Sequence, residues 1–237
     1  MSVASALQAV RASIKQIAET QKLARIPQLV AVSKVKPVAT VMEAYEAGQR
    51  HFGENYVQEL VAKAPEMPPD CRWHFIGNLQ SNKVKKVVAI PNLHVVETVD
   101  SPKLADALNN ACVSLERPGR LAVLVQVNTS GEPQKNGCEP SQTVSLVSHI
   151  VDRCPQLQFH GLMTIGRFDE TPHDDCFRCL AQCRDAVLGE GALEGKVPPG
   201  EEFIMSMGMS GDYALAIECG SNSIRVGSTI FGERPPK

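Results

Sequence analysis

Short β-rich runs alternate with helical patterns along nearly the whole chain. The runs are QLVAVSK (28–34), RHFG (50–53), WHFIG (73–77), LHVVETV (93–99), LAVLVQVN (121–128), QFHGLMTI (158–165), EFIMSM (202–207) and SIRVG (223–227), eight in all. Helical spacing between them predicts helices over 38–48, 55–64, 80–89, 101–116, 140–152, 173–188 and 210–219, with a short TIFGER turn after the last run. Ser101 followed by Pro102 reads as a cap and a first-turn proline. Eight strands alternating with helices in 237 residues predict an α/β fold: a single (β/α)8 barrel, one domain over 1–237. The alternative is a doubly wound open sheet. Against it, no Gly-x-Gly-x-x-Gly follows the first strand, so the dinucleotide fingerprint is missing.

Composition excludes several partner classes. A formal net charge of -2 gives no general basic field for nucleic acid or anionic lipid. No apolar run approaches the roughly 20 residues that span a bilayer. The first segment has no continuous apolar stretch of the secretory type. Its Leu7, Val10, Ile14 and Ile17 recur at helical spacing, which predicts a packed amphipathic helix. Arg11, several serines and the lack of an acid before Glu19 also match a mitochondrial presequence, the less favoured reading. The 8 cysteines lie scattered in apolar segments and read as reduced, which places the chain in the cytoplasm. His173, Cys176, Cys179 and Cys183 fall along one predicted helix. Ligands strung along a single helix cannot surround a tetrahedral zinc, so they read as core residues.

A barrel carries its site at the C-terminal ends of its strands. The first run ends in LVAVSKVKP, which places Lys36 just before Pro37, at the junction of strand 1 and helix 1. Strict alternation puts Val32, Lys34 and Lys36 on one face, so both lysines are candidates for the interior. Two neighbouring cations lower each other's pKa, and a neutral amine is the form that makes a Schiff base. In the last strand, Ser223, Arg225 and Gly227 share a face, and closure makes this strand the neighbour of the first. Gly227 and Ser228 then open a turn with backbone N–H groups, and SMGMSGD brings Ser206 and Ser210 nearby. Loops after the last two strands often bind phosphate. An amine, a phosphate seat and an Arg suit a phosphorylated carbonyl compound, for which pyridoxal 5′-phosphate is the natural candidate. A cationic Arg at its ring nitrogen cannot protonate it, which argues for restrained chemistry or simple holding.

The runs LVAVSKVKP, GQRHFGENYVQEL, WHFIGNLQSNKVK, VETVDS, VQVNTSGEPQKNG, GLMTIG and SMGMSGDYALAIECGSNSIRVGSTIFGER cover most of the chain. In these the sequence closely resembles the pyridoxal phosphate homeostasis protein family, with its alanine-racemase-type barrel. The resemblance implies that Lys36 carries the cofactor as a Schiff base. It also implies that Ser210, Gly227 and Ser228 hold the phosphate and that Arg225 faces the ring nitrogen. Two departures are visible. Val35 stands where Thr is common in the family, and Ser228 precedes Thr229, leaving open which hydroxyl reaches the phosphate. The role of Lys34 also stays open.

Asn55 and Met207 are weaker candidates for the cofactor. Asn55 is equally a helix cap, while Met207, like Met163, could pack on the ring face, though methionine in a barrel strand is usually core filling. His74 reads as a satisfied core histidine, and Lys83, Lys85 and Lys86 as a solvated helix face. The expected function is a monomeric carrier that stores, buffers or delivers pyridoxal phosphate to apoenzymes, with little turnover. The alternative is a racemase or decarboxylase on the same barrel; a cofactor-free lysine aldolase ranks last, since it gives Arg225 no task. The resemblance implies that such racemases carry a further β-domain with a second base. Here the chain ends at GERPPK, and its only tyrosines are Tyr45, Tyr56 and Tyr213.

Overall fold

A computed structural model describes residues 2–132, 135–167 and 174–233. Eight parallel strands close into a barrel in sequence order, β1 (Gln28–Val32), β2 (His51–Glu54), β3 (Arg72–Phe75), β4 (Leu93–Val99), β5 (Leu121–Gln126), β6 (Leu157–Met163), β7 (Ile204–Ser206) and β8 (Ser223–Val226). The predicted barrel is therefore present. The seam pairs β1 with β8, with Val30 opposite Arg225.

The helices on the outside are α1 (Val3–Thr20), α2 (Val38–Glu46), α3 (Val57–Lys63), α4 (Val84–Val88), α5 (Pro102–Ser114), α6 (Thr143–Arg153), α7 (Asp174–Gly189), α8 (Tyr213–Glu218) and α9 (Ser228–Phe231). Ser101 caps α5 as expected, its hydroxyl accepting from the Leu104 N–H. Leu7, Val10 and Ile14 of α1 are buried, so the first segment is a packed helix. Its Arg11 donates to the Ala47 carbonyl and to Gln49 Oε1, which ties α1 beneath α2. The predicted helix over 80–89 breaks into a 3-10 turn, Ser81–Lys83, and α4; the 210–219 helix shrinks to α8. Lys85 and Lys86 are exposed and Lys83 half-buried, as a solvated face requires.

Two apolar layers hold the barrel. The larger lies between strands and helices and contains Phe52, Trp73, Val96, Leu108, Val123, Ile150, Phe177, Ile224 and Val226. The smaller fills the barrel itself with Val95, Ala122, Leu124 and Met163. Side chains alternate between the two layers along the strands, except where the register shifts, as between Val96 and Val99 in β4. The interior also holds polar groups, Glu97, Ser206 and Arg225, all buried. Such groups are retained only when hydrogen-bonded or paired. Among the described residues, no helix is long and apolar enough to cross a membrane.

Cys71, Cys112, Cys138, Cys154, Cys176 and Cys183 are buried and all eight cysteines are free. Of the cysteines on α7, Cys176 and Cys183 face the core and Cys179 is half-buried. His173 lies outside the described residues.

Candidate functional site

The chain leaves β1 at Val32, two residues before the end of the predicted run and short of both lysines. Ser33 to Lys36 form a turn instead, closed by the Lys36 N–H donating to the Ser33 carbonyl at 3.1 Å. Val35 adopts φ +56, the left-handed region, which a β-branched residue rarely enters. Lys34 and Lys36 therefore do not share a face by strand parity. They nevertheless both line one cavity at the C-terminal mouth of the barrel, of about 530 Å³. The Lys36 amine donates to the Glu233 carbonyl at 2.8 Å.

Three charged side chains clamp this turn from behind. Glu54, at the end of β2, accepts from the Ser33 hydroxyl at 2.7 Å and from the Lys63 amine at 2.8 Å. Lys63 also donates to the Ser33 carbonyl and to Glu59, and Glu59 accepts the Val35 N–H at 2.7 Å. Lys63 and Glu54 are both buried. Burial pushes the Glu54 carboxyl above its ordinary value, against the lowering pull of Lys63 and Ser33.

Arg225 projects from β8 into the barrel and lines the same cavity. Nη1 donates to the Ser206 hydroxyl and Nη2 to the Thr164 carbonyl, each at 2.7 Å. Ser206 in turn meets Glu97 Oε2 at 2.5 Å, and Glu97 Oε1 meets His74 Nδ1 at 2.5 Å. Burial alone would raise Glu97. The hydrogen bonds from His74 and Ser206 and the charge of Arg225 outweigh it and hold the carboxyl below its ordinary value. Arg225 keeps a counterion at one remove, and its remaining N–H bonds stay available to a ligand.

The third wall is turn backbone. Met209, Ser210, Gly211, Gly227, Ser228 and Gly232 line it. The Gly227 N–H donates to the Ser210 hydroxyl at 3.3 Å, which joins the loop after β7 to the turn after β8. Gly208 makes the approach feasible: its φ is +94, and a Cβ there would fall 2.6 Å from the Ala216 Cβ. Ser228 lines the cavity and Thr229 does not.

Asn55 also lines the cavity, and its Oδ1 is buried without a hydrogen-bond partner. The α3 N-cap is Tyr56, so the capping role is excluded. A buried orphan acceptor in an open cavity is a place for a ligand. Met207 does not line the cavity. Ser206 points into the barrel, so alternation turns Met207 outward, where it is fully buried in the outer layer; Met209 takes the place at the mouth. His74 is the satisfied core histidine expected. None of the three tyrosines lines the cavity: Tyr45 donates to Asp70, Tyr213 to Ser13, and Tyr56 is exposed.

Comparison with known proteins gives one answer. Residues 6–235 match the alanine racemase N-terminal domain. The pyridoxal phosphate homeostasis protein of Homo sapiens is 49% identical over 217 residues, covering 88% of this chain and 77% of that protein. The Schizosaccharomyces pombe protein of the same name is 45% identical over 234 residues, 98% of this chain and 92% of the relative. The structure of PipY from Synechococcus elongatus with PLP bound superposes with a TM-score of 0.76 at 33% identity, covering 92% of this chain and 99% of that one. Alanine racemase from Corynebacterium glutamicum, 13% identical with a TM-score of 0.68, shares the fold over 99% of this chain and 61% of its own.

Proposed function

The chain belongs to the pyridoxal phosphate homeostasis protein family, built on the alanine racemase N-terminal domain, and we propose that it binds pyridoxal 5′-phosphate at the barrel mouth to hold, buffer and deliver it. The observation that carries this reading is the convergence of Lys36, Arg225, Ser210, Gly227 and Ser228 on one cavity, with the orphan Asn55 Oδ1 beside them. When bound, the cofactor supplies an aldehyde for covalent attachment, a phosphate and a ring nitrogen.

Lys36 is the attaching amine. It must leave the Glu233 carbonyl to react. Ser210 and Ser228 offer hydroxyls to the phosphate, and the Gly227 N–H turns to it from the long 3.3 Å bond to the Ser210 hydroxyl. Gly227 also keeps that wall low: a Cβ would sit 3.3 Å from the Val32 carbonyl oxygen. Arg225 meets the ring nitrogen as a cation with N–H bonds to donate, so the ring accepts electrons less readily than one paired with a carboxylate. Asn55 completes the polar lining.

Holding is favoured over turnover. Racemisation through two bases needs groups on opposite faces of the reacting carbon. Lys34 and Lys36 lie on the same turn, and no tyrosine reaches the cavity. The chain acts as a monomer in the cytoplasm, and its partners are the cofactor and the apoenzymes that receive it.

The test is the visible absorbance that appears when the purified chain is incubated with pyridoxal 5′-phosphate. Lys36→Ala removes it, and Lys34→Ala retains it. A wild type that stays colourless, or a borohydride-trapped peptide modified at Lys34, overturns the site. Racemisation of an amino acid at the rate of a dedicated racemase overturns the carrier role.

A further inference from the structure

The barrel end opposite Lys36 collects histidines. His51, His74 and His94 come from the adjacent strands β2, β3 and β4, and their ring centroids lie 5.1, 5.2 and 5.3 Å apart. One nitrogen from each lies within 4.8 Å of the others, and His51 Nδ1 is 2.8 Å from His74 Nε2. We propose that His51, His74 and His94 bind one divalent transition-metal ion of the zinc class at the N-terminal end of the barrel.

The chemistry of the set is specific. A tetrahedral zinc with Zn–N bonds of about 2.0–2.1 Å places its ligand nitrogens roughly 3.3 Å apart. One pair stands at 2.8 Å and all three nitrogens lie within 4.8 Å of one another, so small ring rotations bring them to that separation. Glu97 accepts from His74 Nδ1 at 2.5 Å, which fixes the tautomer and leaves the lone pair on Nε2, aimed at the other two rings. A carboxylate behind a ligating histidine is the usual outer partner of such sites, and its charge offsets that of the ion. Three imidazoles suit zinc, copper and nickel rather than magnesium or calcium.

Access and opposing charge are both visible. His51 lines a cleft of about 470 Å³ with Arg11, Gln28 and Arg50, and His94 one of about 320 Å³ with Asp70 and Arg72. The ion thus has an entry path and room for a water as fourth ligand. Arg72 opposes it, with Nη1 3.3 Å from His51 Nε2. Arg72 is exposed, so its guanidinium can swing into water when the ion arrives.

Zinc titration of the untagged, chelator-washed full chain against a chromophoric competitor tests the site. One ion per chain is expected. His94→Ala weakens binding by about tenfold or more, since loss of an outer partner alone costs roughly 10–100-fold. Cobalt added to the same cofactor-free protein is expected to show ligand-field bands that His94→Ala removes. His94 is more exposed than His74, and circular dichroism confirms that the variant is folded. The competing cluster is Asp106, His149 and Cys154, where His149 Nε2 and Asp106 Oδ1 are 2.7 Å apart. Equal binding by wild type and His94→Ala, no stoichiometric binding, or loss in His149→Ala with retention in His94→Ala each overturns the proposal.

Discussion

Glu54 and Glu97 are both buried, and each stands behind a cation of the barrel mouth, Lys36 for one and Arg225 for the other, yet their environments treat them in opposite ways. Glu54 braces the turn that carries Lys36. It shares its hydrogen bonds with Lys63 and Ser33, and burial still raises its carboxyl. Glu97 braces Arg225 through Ser206, and its partners hold its carboxyl down. The barrel interior thus contains a committed anion, whereas the Lys36 turn rests on a carboxylate that takes up a proton more readily. The strand-borne cation is fixed by charge. The turn-borne amine is fixed by backbone geometry, which suits a group that must exchange partners.

Removing Glu97 breaks this contrast most forcefully. Glu97→Ala strands a buried guanidinium, and loss of one partner of a buried pair costs about 3–5 kcal/mol. Urea unfolding at pH 7.5 should show a loss of that order. Glu97→Leu combined with Arg225→Leu should recover much of it, because no charge is left buried. A loss below about 1 kcal/mol for Glu97→Ala would mean that Glu97 is not the counterion.

The Glu54 side gives a smaller and pH-dependent effect. Lys63→Met leaves Glu54 able to protonate, so the expected loss is about 1–3 kcal/mol. The signs of the two sites differ. The Glu54 value in the folded state lies above the ordinary 4.5, so the folded chain holds the extra proton between 4.5 and that value. Ionisation there costs stability as pH rises, and the Lys63→Met loss should shrink on lowering the pH from 7.5 toward 5. The Glu97 value lies below 4.5, so its contribution is complete above 4.5 and disappears only as pH falls further. Unfolding curves of both variants across this range test the contrast; a Lys63→Met loss that does not change with pH would remove it.

Much of this was legible in the sequence, for identifiable reasons. The strand count gave the closed barrel, and closure made β8 the neighbour of β1, so Arg225 fell on the correct face. Lys36 was singled out by Pro37, which marks the end of the loop. The parity argument for Lys36 was unsound, because Ser33–Lys36 is a turn, and nothing in LVAVSKVKP announces a left-handed valine. Met207 lies in the outer layer and outside the cavity lining for a related reason: β7 is only 3 residues long, and its inward residue, Ser206, is identified only by its contacts. The supporting charges stayed hidden because they meet across distance; Ser206 and Glu97 are 109 residues apart. Glu59 and Lys63 were the exception, a visible i,i+4 pair, though the spacing did not reveal that Lys63 turns inward. Of the clustered histidines the sequence singled out only His74, as a core residue; strand register is what stacks it with His51 and His94.

Val35 offers the finest discrimination between the two cations. Its φ of +56 is a strained state for a β-branched residue, of the order of 1–3 kcal/mol. Its side chain is 45% exposed, so little packing is lost on replacing it. What holds it is the N–H donated to Glu59, which any residue but proline supplies. Asn tolerates the left-handed region better than valine, without the added chain freedom that glycine brings to the unfolded state. Val35→Asn should therefore raise stability by up to about 1 kcal/mol. If the strain also orients Lys36, relief should slow cofactor capture, read as the rate at which visible absorbance grows. A variant that is more stable with an unchanged rate would show that the clamp of Glu54, Glu59 and Lys63 alone sets the amine. A variant that is no more stable would show that the turn carries no strain to release.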